Sequence, residues 1–338
     1  MENPILVELT RGDLVESVHR GSVAVARADG TLLLSLGDVE TPVYPRSSLK
    51  PIQALPLIES GAADAFGLSS EEIALACASH SGEPMHTTRV AAWLKRIGLS
   101  ENDLACGPHD VRYEPVWHQM IRNGEKPTRI HNNCSGKHTG FLTVARHWDI
   151  ATKGYERHDH PVQQAVAKAL AELTRLSGEI PWGIDGCAAP NFAVPLTDFA
   201  RALAEFADPR SLSAARGATV RRIVSAMTAH PELVAGTDRS DTILMRAAQG
   251  RAATKAGAEG YYAAIVPERG LGIALKIEDG AGRASETAIA AVLDALGLLG
   301  DGARAQHLLV APITNTRGAT VGERRPSALL RDAATRLR

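Results

Sequence analysis

The chain has 338 residues, enough to bury a sizeable core and to hold one large or two medium domains. Its net charge of −1 excludes a field that would gather nucleic acid or an anionic membrane surface, and 4% aromatic residues argue against platforms for stacked bases. The balance of 44% hydrophobic and 22% charged residues is that of an ordinary globular protein. Met1-Glu2-Asn3-Pro4 has neither the basic nor the apolar region of a signal peptide. The most apolar stretch, Ala288 to Leu298, is interrupted by Asp294 and is too short to span a bilayer. Cys77, Cys106, Cys134 and Cys187 are widely spaced with no Cys-x-x-Cys, which predicts reduced thiols in a cytoplasmic setting.

Strand patterns open the chain. Ile5–Thr10, Leu14–His19, Ser22–Arg27 and Thr31–Leu36 are β-rich runs separated by Arg11-Gly12-Asp13, Gly21 and Asp29-Gly30. From Ser47 to about Gly250 the pattern is mostly helical. Ser69-Ser70-Glu71-Glu72 predicts a helix start and an end near Ser79, and Pro84 to Ile97 predicts another. Pro161 to Leu176 carries Val162, Ala165, Val166, Ala169, Leu170 and Leu173 on one face, with Gly178 just beyond. Ser211–Ala229 and Asp241–Ala248 read the same way. Gly260–Val266 and Gly272–Ile277 then predict a hairpin across Pro267-Glu268-Arg269-Gly270-Leu271, and Ser285 is expected to cap a last helix to about Leu296. The tail from His307 is mixed. Strands at both ends with helices between them predict an α+β fold, its mainly antiparallel sheet shared by both chain ends. The expected organisation is a single catalytic domain, 1–338, with a sheet part at 1–45 plus 250–338 and an inserted helical subdomain at 46–249. No strand, Gly-rich loop and helix follow one another in the dinucleotide or P-loop manner.

Three short elements stand in order: Ser47-Ser48-Leu49-Lys50, Ser79-His80-Ser81 and Lys255-Ala256-Gly257. A Ser-x-x-Lys, a later Ser-x-polar element and a final Lys-x-Gly are the parts of a Ser-Lys acyl-transfer site. Ser47 and Lys50 would share one face of a helix at its first turn, with Pro51 compatible with that position. A neutral lysine amine there takes the serine proton and makes a nucleophile. Each element taken alone reads equally as a cap, a turn or a surface loop.

A second cluster joins Asn132-Asn133-Cys134-Ser135-Gly136-Lys137-His138-Thr139-Gly140 with Gly183-Ile184-Asp185-Gly186-Cys187-Ala188-Ala189-Pro190. Three readings stand together on the residues: a metal or anion site, two buried cysteines in tight turns, or a Cys134 nucleophile with His138 as its base. His158 and His160 read as solvated polar residues at a helix start.

Pro45 to Pro51, Cys77 to Glu83, Ile130 to Gly140, Gly183 to Leu196 and Lys255 to Gly260 resemble the L-asparaginase II family of the rhizobial type, often called class 3, over nearly the whole chain. The resemblance implies a fold like those of serine β-lactamases, DD-peptidases and other penicillin-binding proteins, and serine glutaminases. It implies hydrolysis of L-asparagine to L-aspartate and ammonia by two Ser-Lys tandems, Ser47 with Lys50 and Ser79 with Lys255, Lys276 being the fallback for Lys255. It also implies one zinc on Cys134, Lys137 and Cys187, substrate contacts from Arg46, His138 and Asp185, and a homodimer. The expected reaction passes through an acyl-enzyme on Ser47, with zinc orienting the substrate. Glutaminase or β-lactamase-like activity on the same fold is the alternative enzyme, and a non-catalytic amino-acid-binding protein the alternative class.

Overall fold

The structure is a computed structural model, and residues 2–337 are described. In chain order its strands are β1 (Ile5–Arg11), β2 (Leu14–Arg27), β3 (Leu32–Leu36), β4 (Trp182–Ile184), β5 (Pro190–Phe192), β6 (Ala253–Ala256), β7 (Tyr261–Val266), β8 (Leu271–Ile277), β9 (Ala311–Thr314) and β10 (Thr320–Pro326). The chain forms two compact units. One comprises Met1–Ser48, Ala193–Ser211 and Ile243–Arg338; the other comprises Leu49–Phe192 and Leu212–Thr242.

The first unit is built on an antiparallel sheet in the order β6-β7-β8-β2-β1-β10-β9, with β3 also paired to β2. Strands from both ends of the chain share it, as the sequence predicts. Gly21 does not end a strand. β2 is continuous through it, pairing with β1 along Leu14–Arg20 and with β8 along Gly21–Arg27. Side chains alternate along β8. Ile273, Leu275 and Ile277 join Val23, Val25, Ile289 and Val292 in one apolar cluster against the helix Gly282–Ala295. On the other face lies the helix Leu196–Ala207. Gly272 makes that approach possible, because a Cβ there would fall on the Ala200 carbonyl oxygen and the Ala204 nitrogen. The predicted elements do not include this helix, and residues 196–207 fall within the expected helical subdomain 46–249; the helix packs on the sheet instead. Ser285 is also not a cap. The helix begins at Gly282, and the buried Ser285 hydroxyl donates back to the Gly282 carbonyl at 3.0 Å. The mixed tail resolves into β9, β10 and a helix, Ala328–Ala334, capped by Ser327.

In the second unit, Ser69 caps the helix Ser70–Ala76 in a reciprocal box with Glu72. That helix packs on Ser135–His147 and Ala214–Ala229. The helix Ser135–His147 is buried on every side from Ser135 to Ala145, so Lys137 and His138 are carried into the interior. β4 and β5 form a short hairpin beside it in the sequence cluster already noted, with Asp185, Cys187 and Ala188 in the turn. No helix among the described residues is long and apolar enough to cross a membrane.

Candidate functional site

In the second unit, Lys50 opens the short helix Lys50–Gln53, with Pro51 in its first turn. Its side chain is 1% exposed, and Nζ donates to the Ala78 carbonyl and to Ser79 Oγ at 2.9 Å. Ser79 is itself 7% exposed. The resemblance pairs Lys50 with Ser47; the bond formed goes to Ser79, on the loop after Ser70–Ala76.

That loop is held from several directions. Ser79 N–H donates to Val234 O at 2.8 Å, His80 N–H to Asn133 O at 3.1 Å and Ser81 Oγ to Ala235 O at 3.0 Å. The His80 ring is fixed at both nitrogens. Nδ1 accepts from Gly82 N–H at 3.1 Å, so Nε2 carries the proton and donates to Ser135 Oγ at 2.8 Å; Ser135 Oγ in turn donates to Ile130 O. Burial, then the neighbouring His86, stacked at 4.8 Å, and Lys50 hold the His80 pKa well below its ordinary value. His80 is thus a neutral tie between the Ser79 loop and the start of the helix carrying Lys137.

In the sheet unit, Arg46–Leu49 is a 3₁₀ turn that begins with Arg46 in the left-handed region at φ 52°. Ser47 is half-buried. Ser48 is fully buried and donates from Oγ to the Lys255 carbonyl at 2.7 Å. Lys255 lies in β6, the edge strand, 2% exposed, with Nζ 2.9 Å from Ala256 O. The backbone of Lys255 is therefore tied to the segment that carries Ser47. Lys276 is half-buried near the C-terminal end of β8, opposite Ser22 and Tyr261, and burial lowers its pKa.

The second unit brings Cys134, Lys137, Asp185 and Cys187 together. The donor atoms of Cys134, Asp185 and Cys187 all lie within 4.8 Å of one another. Lys137 Nζ donates to Cys187 Sγ at 3.1 Å, and Asp185 Oδ2 is 3.4 Å from that sulfur. A hydrogen bond from Cys134, aided by the Lys137 ammonium, pulls the Cys187 thiol down to about 5, and the same bond with burial pushes Cys134 up to about 12. Burial opposes the Lys137 charge, but Cys187, Cys134 and Asp185 outweigh it and raise its pKa. The turn that delivers Cys187 is tight: Ala188 N–H donates to Asp185 O at 2.8 Å, and Ala188 has φ 75°. Two sulfurs, a carboxylate and an amine on rigid elements are a donor set able to hold a metal ion. All four cysteines are buried, and none is in a disulfide among the described residues.

His138 shows a relationship that the sequence did not reveal. Its ring is fully buried, and Nδ1 is 2.6 Å from the hydroxyl of Tyr155, 1% exposed. That hydroxyl accepts the Ala105 N–H at 2.9 Å, which leaves its own proton for His138 Nδ1. The imidazole proton then sits on Nε2, a buried atom with no hydrogen-bond partner. Burial and the adjacent Lys137 charge push the His138 pKa down to about 3, so the ring is neutral. Neither periodicity nor motif marks Tyr155, which lies in an irregular stretch.

A model of the family described as L-asparaginase II matches residues 7–326. No curated protein matches the sequence. Among solved structures, the chain is similar to a β-lactamase from Mycobacterium bovis, at 13% identity and a TM-score of 0.42, over 78% of this chain and 89% of that one. It is also similar to a mutant simvastatin synthase from Aspergillus terreus, at 12% identity and a TM-score of 0.37, over 76% and 86%.

Proposed function

Because the chain belongs to the L-asparaginase II family, we propose that it hydrolyses the side-chain amide of L-asparagine to L-aspartate and ammonia through a serine acyl-enzyme. The observation that carries this reading is the buried Lys50–Ser79 pair at 2.9 Å, a lysine and a hydroxyl in proton-transfer contact. In its neutral form Lys50 donates one N–H to the Ala78 carbonyl and accepts a hydroxyl proton through its lone pair. Ser47, at i−3 from Lys50, is the proposed nucleophile, with Lys50 as its base, and Ser79 belongs to the second Ser-Lys tandem. Lys255 is the second lysine of the pair of tandems. Attack of the serine oxygen on the amide carbon gives a tetrahedral oxyanion; its collapse expels ammonia after protonation, and water then releases aspartate.

Cys134, Lys137 and Cys187 are the proposed zinc ligands, with Asp185 beside them. Tetrahedral zinc, with sulfurs about 2.3 Å from the metal, separates its donors by roughly 3–4 Å, which suits the Cys134, Asp185 and Cys187 atoms, within 4.8 Å of one another, and Lys137 Nζ at 3.1 Å from Cys187 Sγ. The ion would replace the proton that Lys137 holds in its absence. When bound it supplies positive charge that orients and polarises a nearby carboxylate or carbonyl. Arg46, His138 and Asp185 are proposed to contact the substrate. For His138 the support is its unpartnered Nε2–H, a donor suited to a carboxylate oxygen. A homodimer is part of the proposal, and glutaminase or β-lactamase-like activity on the same fold is the alternative to it.

A second reading has its own support. The direct bond from Lys50 makes Ser79 a candidate nucleophile in place of Ser47. Trapping the acyl-enzyme by rapid quench and peptide mass spectrometry separates the two. Acylation at Ser47, with Ser47→Ala folded and inactive, supports the first reading; acylation at Ser79 supports the second. Ammonia release from asparagine, glutamine and a penicillin-type amide, assayed side by side, tests the substrate class. No turnover of any of them by the zinc-loaded protein would refute the enzyme reading.

A further inference from the structure

A cleft of about 560 Å³ lies in the sheet unit, lined by β1, β2, β9 and β10 and by the helices Gly282–Ala295 and Ala303–Leu309. Its floor is set by strand register. Arg324 of β10 stands opposite Leu9 of β1 and Ala311 of β9, and Leu9 stands opposite Ser17 of β2. Directly opposed residues share a face, so these side chains form one row across the sheet, and all of them line the cleft.

The row is apolar or neutral except for Arg324. Its guanidinium is half-buried, and Nε is closed to solvent with no partner. No hydrogen bond or ion pair to its side chain is formed among the described residues. Burial holds its pKa below the ordinary value, with Glu286 acting against burial and Arg283 adding to it. A partly desolvated cation without a bonded anion is costly, and proteins seldom leave one so.

Two further arginines, Arg11 and Arg283, line the same space. Arg283 uses Nε on the His19 ring, at Nε2, 3.1 Å away; the other ring nitrogen of His19 is bonded to Asp279 at 2.6 Å. Neither Nη of Arg283 is hydrogen-bonded among the described residues. His307 is exposed at the rim. Of the acidic groups here, Glu16 is paired to Arg11 at 3.1 Å, Asp279 is engaged by His19, and Glu286 acts on Arg324 without bonding it. Two guanidinium ends therefore remain available toward a solvent-open cleft that the proposed reaction does not use.

We propose that this cleft binds a small oxyanion carrying two negative charges, a phosphate or a dicarboxylate, between Arg283 and Arg324 with His307 at its rim. A planar guanidinium meets a carboxylate or a phosphate with two parallel N–H···O bonds. One anion bridging both arginines would supply the partner that Arg324 lacks. The cleft is large enough for either ligand.

The test is isothermal titration of the full chain at low ionic strength, with inorganic phosphate in one arm and succinate in the other. At least one is expected to bind with a Kd of about 1 mM or below. Arg324→Gln and Arg283→Gln are each expected to weaken it at least about tenfold, equivalent to about 1.4 kcal/mol, with unchanged circular dichroism. Binding of phosphate alone, of succinate alone or of both supports the site and identifies its source of anion. Arg283 is exposed, so Arg283→Gln carries the test if Arg324→Gln folds poorly. Absence of binding in both arms up to about 10 mM, or wild-type binding by a folded Arg283→Gln, overturns the proposal.

Discussion

Lys50 and Ser79 are brought to 2.9 Å of each other inside the second unit, with the lysine also bonded to the carbonyl of the residue before that serine. Two hydrogen bonds to adjacent positions of one loop fix both the direction and the depth of the Nζ. The loop cannot swing away, because its backbone is tied to Val234 and Asn133 and its histidine to Ser135.

Lys50→Arg should therefore remove turnover while keeping the charge. A guanidinium does not give up its proton under working conditions and cannot serve as a base. We expect kcat to fall by about a thousandfold or more, with the melting temperature changed far less than for a truncation. Substantial turnover by folded Lys50→Arg would exclude the lysine as the proton acceptor.

Cys134→Ala and Cys187→Ala should each lose the metal, read by elemental analysis of the purified protein. Each removes one of the two sulfurs in a set whose atoms lie within 4.8 Å. With substrate orientation as the proposed role, KM should rise by more than kcat falls. Loss of all turnover at saturating substrate, with Ser47→Ala and Ser79→Ala both active, would point instead to a cysteine nucleophile.

Acid should destabilise the second unit through His80. Its folded-state pKa lies well below the ordinary histidine value, while the unfolded chain takes up the proton near pH 6.5. The stability gained from the neutral ring is fully present above pH 6.5 and is lost as pH falls below it toward the folded pKa. Urea unfolding at pH 7.5, 6.5 and 5.5 should show a decline approaching about 1.4 kcal/mol per pH unit for this group below pH 6.5. His80→Asn should start lower and show a shallower slope; an unchanged slope would remove His80 as the cause.

Gly272→Ala should destabilise the sheet unit by about 1–3 kcal/mol. The new methyl group would press on the Ala200 carbonyl oxygen and the Ala204 nitrogen, backbone atoms that cannot turn aside. Thermal unfolding measures this directly, and a neutral result would mean that the helix Leu196–Ala207 can lift from the strand.

Local physics made much of this protein legible. Ser69 with Glu72 announces a helix start because both groups satisfy backbone N–H groups within one turn. The hairpin of β7 and β8 follows from two β-rich runs around Pro267–Gly270, and the strand character of both ends led directly to one antiparallel sheet. The residue types of the candidate site were equally visible as short motifs, each made of near neighbours in sequence.

What the sequence left open depends on distance. Ser285 looks like a cap until the turn before it is seen to start at Gly282. Leu196–Ala207 is not marked in the sequence, and its close seat on the sheet uses the missing Cβ of Gly272. Tyr155 becomes the partner of His138 because a loop folds back over a buried helix, and Lys50 reaches Ser79 because Ser70–Ala76 delivers that serine to it. Periodicity and capping report interactions within a few residues of the chain, whereas these contacts arise from packing between segments far apart in sequence, and packing is a property of the folded molecule as a whole.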